Sequence, residues 1–385
     1  MEEFWAAPIA RISRLVLIPL MLPLLLSAGA LAQARRMVTT AEGKTVDFVG
    51  EFRSDADLDA SRTPCQHLRD FFDHTGKARD VAGERPAVCD LVVDVVDVIA
   101  GKADLLPQNA KRPIHVARIA TDSLRRIVVT EPDTRSVHIL DFVNRKYTRI
   151  DGVKDDRMLS PFGVAVDADD NLYVTDVKRG MIDVFSARGK FKKYIGNYKG
   201  EGVFQLPSSI AIDRASGRIY LSDTLRHLVF ILDRNGKELF RIGKRGGGSG
   251  PSEFRFPADL ALHGQELFVL DKQNKRIEVF SLEGRYKREF QPDGFDAGSA
   301  KGLAVDTQGL IYLLFDVGYV QAFAPHGEPL FRFSNYGVEP GELKDSQAIY
   351  IDSMDRIYVN DTGNLRVEIF QIMGSAHPGA ATASR

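Results

Sequence analysis

The side chains best suited to chemistry in this 385-residue chain stand near the starts of short apolar runs: His115, Ser160, Ser208, Ser209, Asp259, Lys301 and Asp345. A catalytic zinc centre takes three converging protein ligands, often imidazoles. His115 is the one histidine of this set; His138 and His227 fall in or after turn segments, and His263 replaces an Asp that recurs elsewhere. A three-histidine zinc site is therefore not expected. A calcium site takes several converging oxygens, and Asp259 and Asp345 supply two carboxylates without an evident third. No Ser-His-Asp arrangement or nucleophile motif stands out. The set reads first as polar groups that solvate a channel rim, and second as the surroundings of one divalent cation.

A further set consists of cations in turn segments: Arg135, Lys178, Arg226 and Lys275, with Arg179, Lys272, Arg276 and Arg366. Such cations could meet an anionic partner. The acids Glu131, Asp133, Asp176, Asp223, Asp271 and Asp361 interleave with them, and the net charge of the whole chain is −1. Nucleic acid is thus not an expected partner.

The elements that must position these residues are short strands. Residues 207–243 hold four: Ile210-Ala211-Ile212, Ile219-Tyr220-Leu221, Val229-Phe230-Ile231-Leu232 and Leu239-Phe240-Arg241-Ile242, with turns at Ser216-Gly217 and Asn235-Gly236. Brief runs of β-formers between Gly, Asp and Asn are hairpin signals. The Asp closing the first run recurs as Asp122, Asp167, Asp213, Asp306 and Asp352, with His263 in its place once; the gaps are 45, 46, 50, 43 and 46 residues. The acid closing the second run recurs as Glu131, Asp176, Asp223, Asp271, a shifted Asp316 and Asp361. Four strands repeated at this period describe an all-β fold, a six-bladed β-propeller spanning 112–372.

The sixth unit lacks a fourth strand, and an open ring would leave an unpaired edge. Gly43-Lys44-Thr45-Val46-Asp47-Phe48-Val49-Gly50 has the form of the fourth strands that begin at Gly189-Lys190 and Gly236-Lys237. Residues 44–53 are therefore expected to pair with 366–371 and close the ring. Arg276 and Arg366 occupy equivalent repeat positions and are expected to salt-bridge a neighbouring blade. The repeated Asp residues are expected to accept backbone hydrogen bonds in turns. Residues 243–251, rich in glycine, read as a flexible inter-blade turn because a strand, not a helix, follows them.

Outside the repeats, residues 1–34 have the layout of a secretory signal: Arg11 and Arg14, an apolar stretch from Leu15 to Leu26, then Ala30, Ala32 and Ala34. An exported chain, periplasmic or secreted, is expected, with an uncleaved membrane anchor as the alternative. Residues 54–111 read as a small helical insertion, and 373–385 as a disordered tail. Cys65 and Cys89 lie in the insertion; a disulfide suits an exporting compartment, and two free thiols remain the alternative.

The pattern Pro-x-x-(Ile/Val)-Ala-(Val/Ile)-Asp, then (Leu/Ile)-Tyr-(Val/Leu)-x-Asp, resembles the NHL-repeat family of six-bladed propellers, most clearly at Pro161–Phe185, Pro207–Leu232 and Ile349–Phe370. Asn364-Leu365-Arg366 and Leu225-Arg226-His227 resemble degenerate forms of the loop that names the family. The overall layout resembles uncharacterised bacterial extracytoplasmic members. The resemblance implies ligand binding at the channel mouth, where first strands begin and second-to-third loops project. The expected function is a non-catalytic module, without a cofactor, that binds an envelope protein or polysaccharide through its loop faces. The alternative is a metal-dependent lyase or lactonase with its site at the mouth.

Overall fold

The computed structural model describes residues 35–39, 45–52, 115–144, 146–153, 156–198, 201–292 and 300–373. The expected signal segment 1–34, the insertion 54–111 with Cys65 and Cys89, and the tail beyond 373 lie outside the described residues.

The described chain forms six antiparallel sheets in a ring, plus two short hairpins. The first strands of blades 1 to 6 are Ile119–Thr121, Pro161–Val166, Pro207–Ile212, Pro257–His263, Ala300–Val305 and Ala348–Ile351. Each lies beside the first strands of its two neighbours, so together they wall a central channel. Within blades 1 to 5 the later strands step outward in chain order. Second strands are almost wholly buried, as in Leu172–Asp176 and Ile219–Asp223, whereas fourth strands such as Glu238–Gly243 are largely exposed. This gradient explains why second strands read as continuous apolar runs and fourth strands as alternating ones.

The core is divided into six apolar clusters, one per blade interface. Strand alternation sends successive side chains to opposite neighbours: Val128 packs with Val164 and Val174 of blade 2, while Ile127 and Val129 pack with Tyr358 and Ile369 of blade 6. The ring is thus closed by the same kind of contact that joins its other blades.

Blade 6 contains five strands, in the order Arg35–Thr39, Thr45–Phe52, Arg366–Met373, Arg356–Asp361, Ala348–Ile351. Thr45–Phe52 pairs antiparallel with Arg366–Met373, placing Phe48 opposite Phe370 and Phe52 opposite Val367. The two facing phenyl rings meet edge to face at 5.9 Å. Burying such a side chain stabilises by about 1.5–3 kcal/mol, so the early strand belongs to the core. Strand Arg35–Thr39 adds an outer fifth member that the repeat pattern does not predict, because it has no counterpart in the other blades.

Candidate functional site

The recurring acids serve the fold. Asp122, Asp167, Asp306 and Asp352 each accept two backbone N–H groups through Oδ1 at 2.8–3.0 Å, closing the turn after the first strand. Acids at the ends of second strands hold the segment entering their own blade. Asp176 accepts from the amides of Leu159, Ser160, Lys178 and Arg179 at 2.6–3.2 Å. Asp223 does the same for Gln205 and Leu206, both at 2.9 Å.

Arg276 and Arg366 are structural too, though not as expected. They pair within their own blade and with the linker before it, not with a neighbouring blade. Arg276 meets Asp271, Glu278 and Glu289 and donates to the carbonyls of Ser249, Gly250 and Glu253. Arg366 meets Asp361, Glu368 and Glu51 and donates to the carbonyls of Glu339 and Glu342. The glycine-rich linker is consequently pinned at several carbonyls, which the expectation of a flexible turn missed. A guanidinium can collect carbonyls and carboxylates at once because its five donors splay in one plane.

The candidate site is a funnel of about 970 Å³ at the end of the ring where first strands begin. First-strand starts supply Arg118, Phe162, Ser208, Ala258, Lys301 and Gln347; second-to-third loops supply Pro132, Asp133, Thr224, Lys272, Lys275 and Thr362. Its walls thus combine apolar surface with charge, and the charge is lopsided: Arg118, Lys272, Lys275 and Lys301 face a single lining carboxylate, Asp133. Asp133 bonds the lining imidazole, with Oδ2 2.6 Å from His115 Nδ1. Asp316 lies 3.6 Å from the Lys301 ammonium. Arg118 sits over the Phe162 ring at 4.9 Å and donates to the carbonyls of Ala117 and Gln347. Burial, then repulsion by Lys301 and Arg118, holds the Lys272 ammonium below the usual lysine range, with Asp316 opposing.

Deeper along the axis, a channel cavity of about 490 Å³ is lined by the first strands. Towards the far end, Arg214 of blade 3 reaches across to donate to the Thr121 carbonyl of blade 1 at 3.1 Å. Tyr350 of blade 6 meets Thr121 from the other side, hydroxyl to hydroxyl at 3.0 Å. These contacts tie blades 1, 3 and 6 together at that end.

Of the expected rim residues, His115, Ser208 and Lys301 line the funnel. Ser209 and Asp259 lie deeper, in the channel wall, where they tie three blades together. Ser209 Oγ donates to Asp259 Oδ1 at 2.7 Å, and Asp259 Oδ2 accepts from Leu303 N–H at 3.0 Å. Ser160 is buried beside Asp176 and Asp345 is exposed in the loop entering blade 6; neither lines the funnel. Of the expected loop cations, Lys275 lines it, whereas Arg135, Lys178 and Arg226 do not. Arg226 is turned onto Asp223 and the Val203 carbonyl.

Arg118 escaped the sequence reading because the first unit lacks the proline that marks first strands at Pro161, Pro207 and Pro257. Phe162 and Phe256 read only as apolar strand residues. Phe256 in fact holds a left-handed backbone, with φ 59°. Its N–H donates to His227 Nδ1 at 3.1 Å, and the two rings pack edge to face at 4.7 Å. A bulky residue in that conformation costs about 1–2 kcal/mol, so neighbouring contacts hold this part of the wall in place.

The fit of a divalent cation can be tested on these residues. Among the described residues no group of three or more His, Cys, Asp or Glu converges. His138 is engaged inside blade 1 by Glu131 at 3.0 Å and Tyr147 at 2.7 Å. His227 is occupied by Phe256, and His115 has one carboxylate beside it amid lining cations. The donor set does not fit a metal.

The comparisons with known proteins agree with this architecture. The family described as 6-bladed beta-propeller matches residues 204–318. Peptidyl-glycine alpha-amidating monooxygenase of Mus musculus is 25% identical over 185 residues, 44% of this chain and 17% of that protein. NHL repeat-containing protein 2 of Bos taurus is 28% identical over 82 residues, 20% of this chain and 11% of that one. The chain thus matches only about a sixth or less of the length of these curated relatives. Among solved structures, virginiamycin B lyase from Staphylococcus aureus superposes with a TM-score of 0.50 at 12% identity, over 66% of this chain and 94% of that one. A gluconolactonase from Xanthomonas campestris gives 0.50 at 19% identity, over 68% and 89%. At such identities the superpositions speak for the fold alone. By its repeats, its six blades and these matches, the chain is a six-bladed β-propeller whose repeats are similar to those of NHL repeat-containing proteins.

Proposed function

We propose that this protein is a non-catalytic binding module that works through the funnel face of the propeller. The observation that carries this reading is the construction of the funnel: about 970 Å³, walled by first-strand starts and second-to-third loops, with four cationic side chains against one lining carboxylate. Concave sites that mix apolar walls with a few charged groups are where proteins hold ligands. The acids best suited to catalysis are taken up in turns and linkers, and the lining imidazole His115 sits against Asp133. The partner we propose is an envelope protein or polysaccharide, met outside the cytoplasm; the layout of residues 1–34 supports export.

The test compares binding of isolated envelope polysaccharide and of purified envelope proteins to three versions of the chain. Ala258→Trp fills the funnel, and Lys237→Glu alters the exposed blade 3 turn at the opposite face. Saturable binding lost in the first variant and kept in the second supports the reading. Binding lost only in the second, or turnover of lactones or peptides by the wild-type chain, overturns it.

A further inference from the structure

We propose that Arg118, Lys272 and Lys301 form a receptor for a small amphiphilic carboxylate, whose apolar body lies against Phe162, Leu206 and Phe256. The proposal rests on the funnel being the working face and goes beyond the polymeric partner, naming a small molecule for the same funnel.

The charge is the first argument. The chain as a whole has a net charge of −1, yet the funnel gathers four cationic side chains against one lining carboxylate. Like charges held together oppose folding unless something offsets them. Lys301 has Asp316 at 3.6 Å. Lys272 is half-buried, and its ammonium has no hydrogen-bond or ion-pair partner among the described residues. The buried Nε of Arg118 likewise finds no acceptor among the described residues, although the same guanidinium donates to two carbonyls through Nη1. A buried guanidinium N–H without a partner costs free energy that an incoming anion would recover.

The walls are the second argument. Inorganic anions favour polar, hydrated sites, but this funnel is walled by Val116, Pro132, Phe162, Leu206, Phe256 and Ala258. Two of these are aromatic, and each is fixed from behind: Phe162 under the Arg118 guanidinium, Phe256 by its bond and ring contact with His227. A ligand matching both halves carries a charged head and an apolar body. Preorganised walls lower the ordering cost of binding such a molecule. The funnel of about 970 Å³ admits a body of one or two rings or a short alkyl chain.

The experiment titrates the full chain calorimetrically with 4-phenylbutyrate, octanoate and 1-naphthylacetate, and with the matching neutral amides. At least one carboxylate is expected to bind one per chain, about tenfold or more tighter than its amide. Lys272→Met is expected to bring the carboxylate down to the level of the amide. It leaves the fold intact because Lys272 bonds no side chain among the described residues, and an unchanged melting temperature checks this. Arg118→Met should act in the same direction. No binding by any carboxylate, equal binding of acid and amide, or Lys272→Met leaving affinity unchanged overturns the proposal. Ala258→Trp separates the two readings. If acid and amide bind equally and both are lost in that variant, the funnel binds ligands but not through charge. If binding survives Ala258→Trp, the funnel is not the working face either.

Discussion

Arg366 donates to Glu51 across 2.8 Å, joining strands whose residues stand 315 positions apart in the chain. The same guanidinium meets Asp361 and Glu368, both fully buried, and fastens the linker entering blade 6 through the carbonyls of Glu339 and Glu342. One side chain therefore links the early strand, the last blade and the connection from blade 5.

Replacing Arg366 by Met should destabilise the protein by about 3–5 kcal/mol, because buried carboxylates lose their counter-charge. Glu51→Gln, on a partly exposed partner, should cost about 1 kcal/mol. Urea denaturation followed by far-ultraviolet dichroism gives both values. Equal midpoints for Arg366→Met and wild type would show that closure does not depend on this guanidinium.

Removing residues 40–53 should lower the melting temperature far more than either substitution. The deletion takes Phe48 from its contact with Phe370 and exposes the edge of Arg366–Met373. A milder variant, Phe48→Ala, is expected to cost about 3–5 kcal/mol. An unchanged melting curve for the deletion would contradict closure by this strand.

Asp176→Ala should be among the more damaging single changes in blade 2. It strands the amides of Leu159, Ser160, Lys178 and Arg179, which all donate to this buried carboxylate. A cost of about 3 kcal/mol is expected, with Asp176→Asn retaining part of it. Chemical denaturation of the two variants should rank them in that order; a harmless alanine would mean these donors find other acceptors.

Acid should weaken the protein partly through Glu266. Hydrogen bonds from Arg288 at 2.7 and 2.9 Å, with Lys287 at 3.0 Å, hold its carboxyl down at about 2, from an ordinary 4.5. The folded value lies below the unfolded one, so the contribution is present above pH 4.5 and is lost as pH falls through about 2. Glu266→Gln should thus destabilise by about 1–2 kcal/mol at pH 7, once solvent screening of this partly exposed pair is allowed for. The difference should shrink towards zero near pH 2. A difference that stays constant with pH would assign the effect to lost packing.

Much of the fold was legible without coordinates because it is local and repeated. Period-two apolar runs, the Asp that closes each turn and the spacing of 43–50 residues each report on contacts within one blade, and six copies reinforce one another. The closing strand was legible for the same reason: Lys44 to Gly50 has the form of the fourth strands elsewhere. The site was not. Whether a cation in a loop folds back onto its own blade, as Arg276 does, or faces open space, as Lys272 does, depends on the carbonyls and carboxylates that six separate segments bring to the same place. Repeats determine the ring; only the closed ring decides which of their departures from the repeat, Arg118 and Lys301 among them, meet at its mouth. Side chains far apart in sequence acquire a common electrostatic environment only when packing removes the water between them.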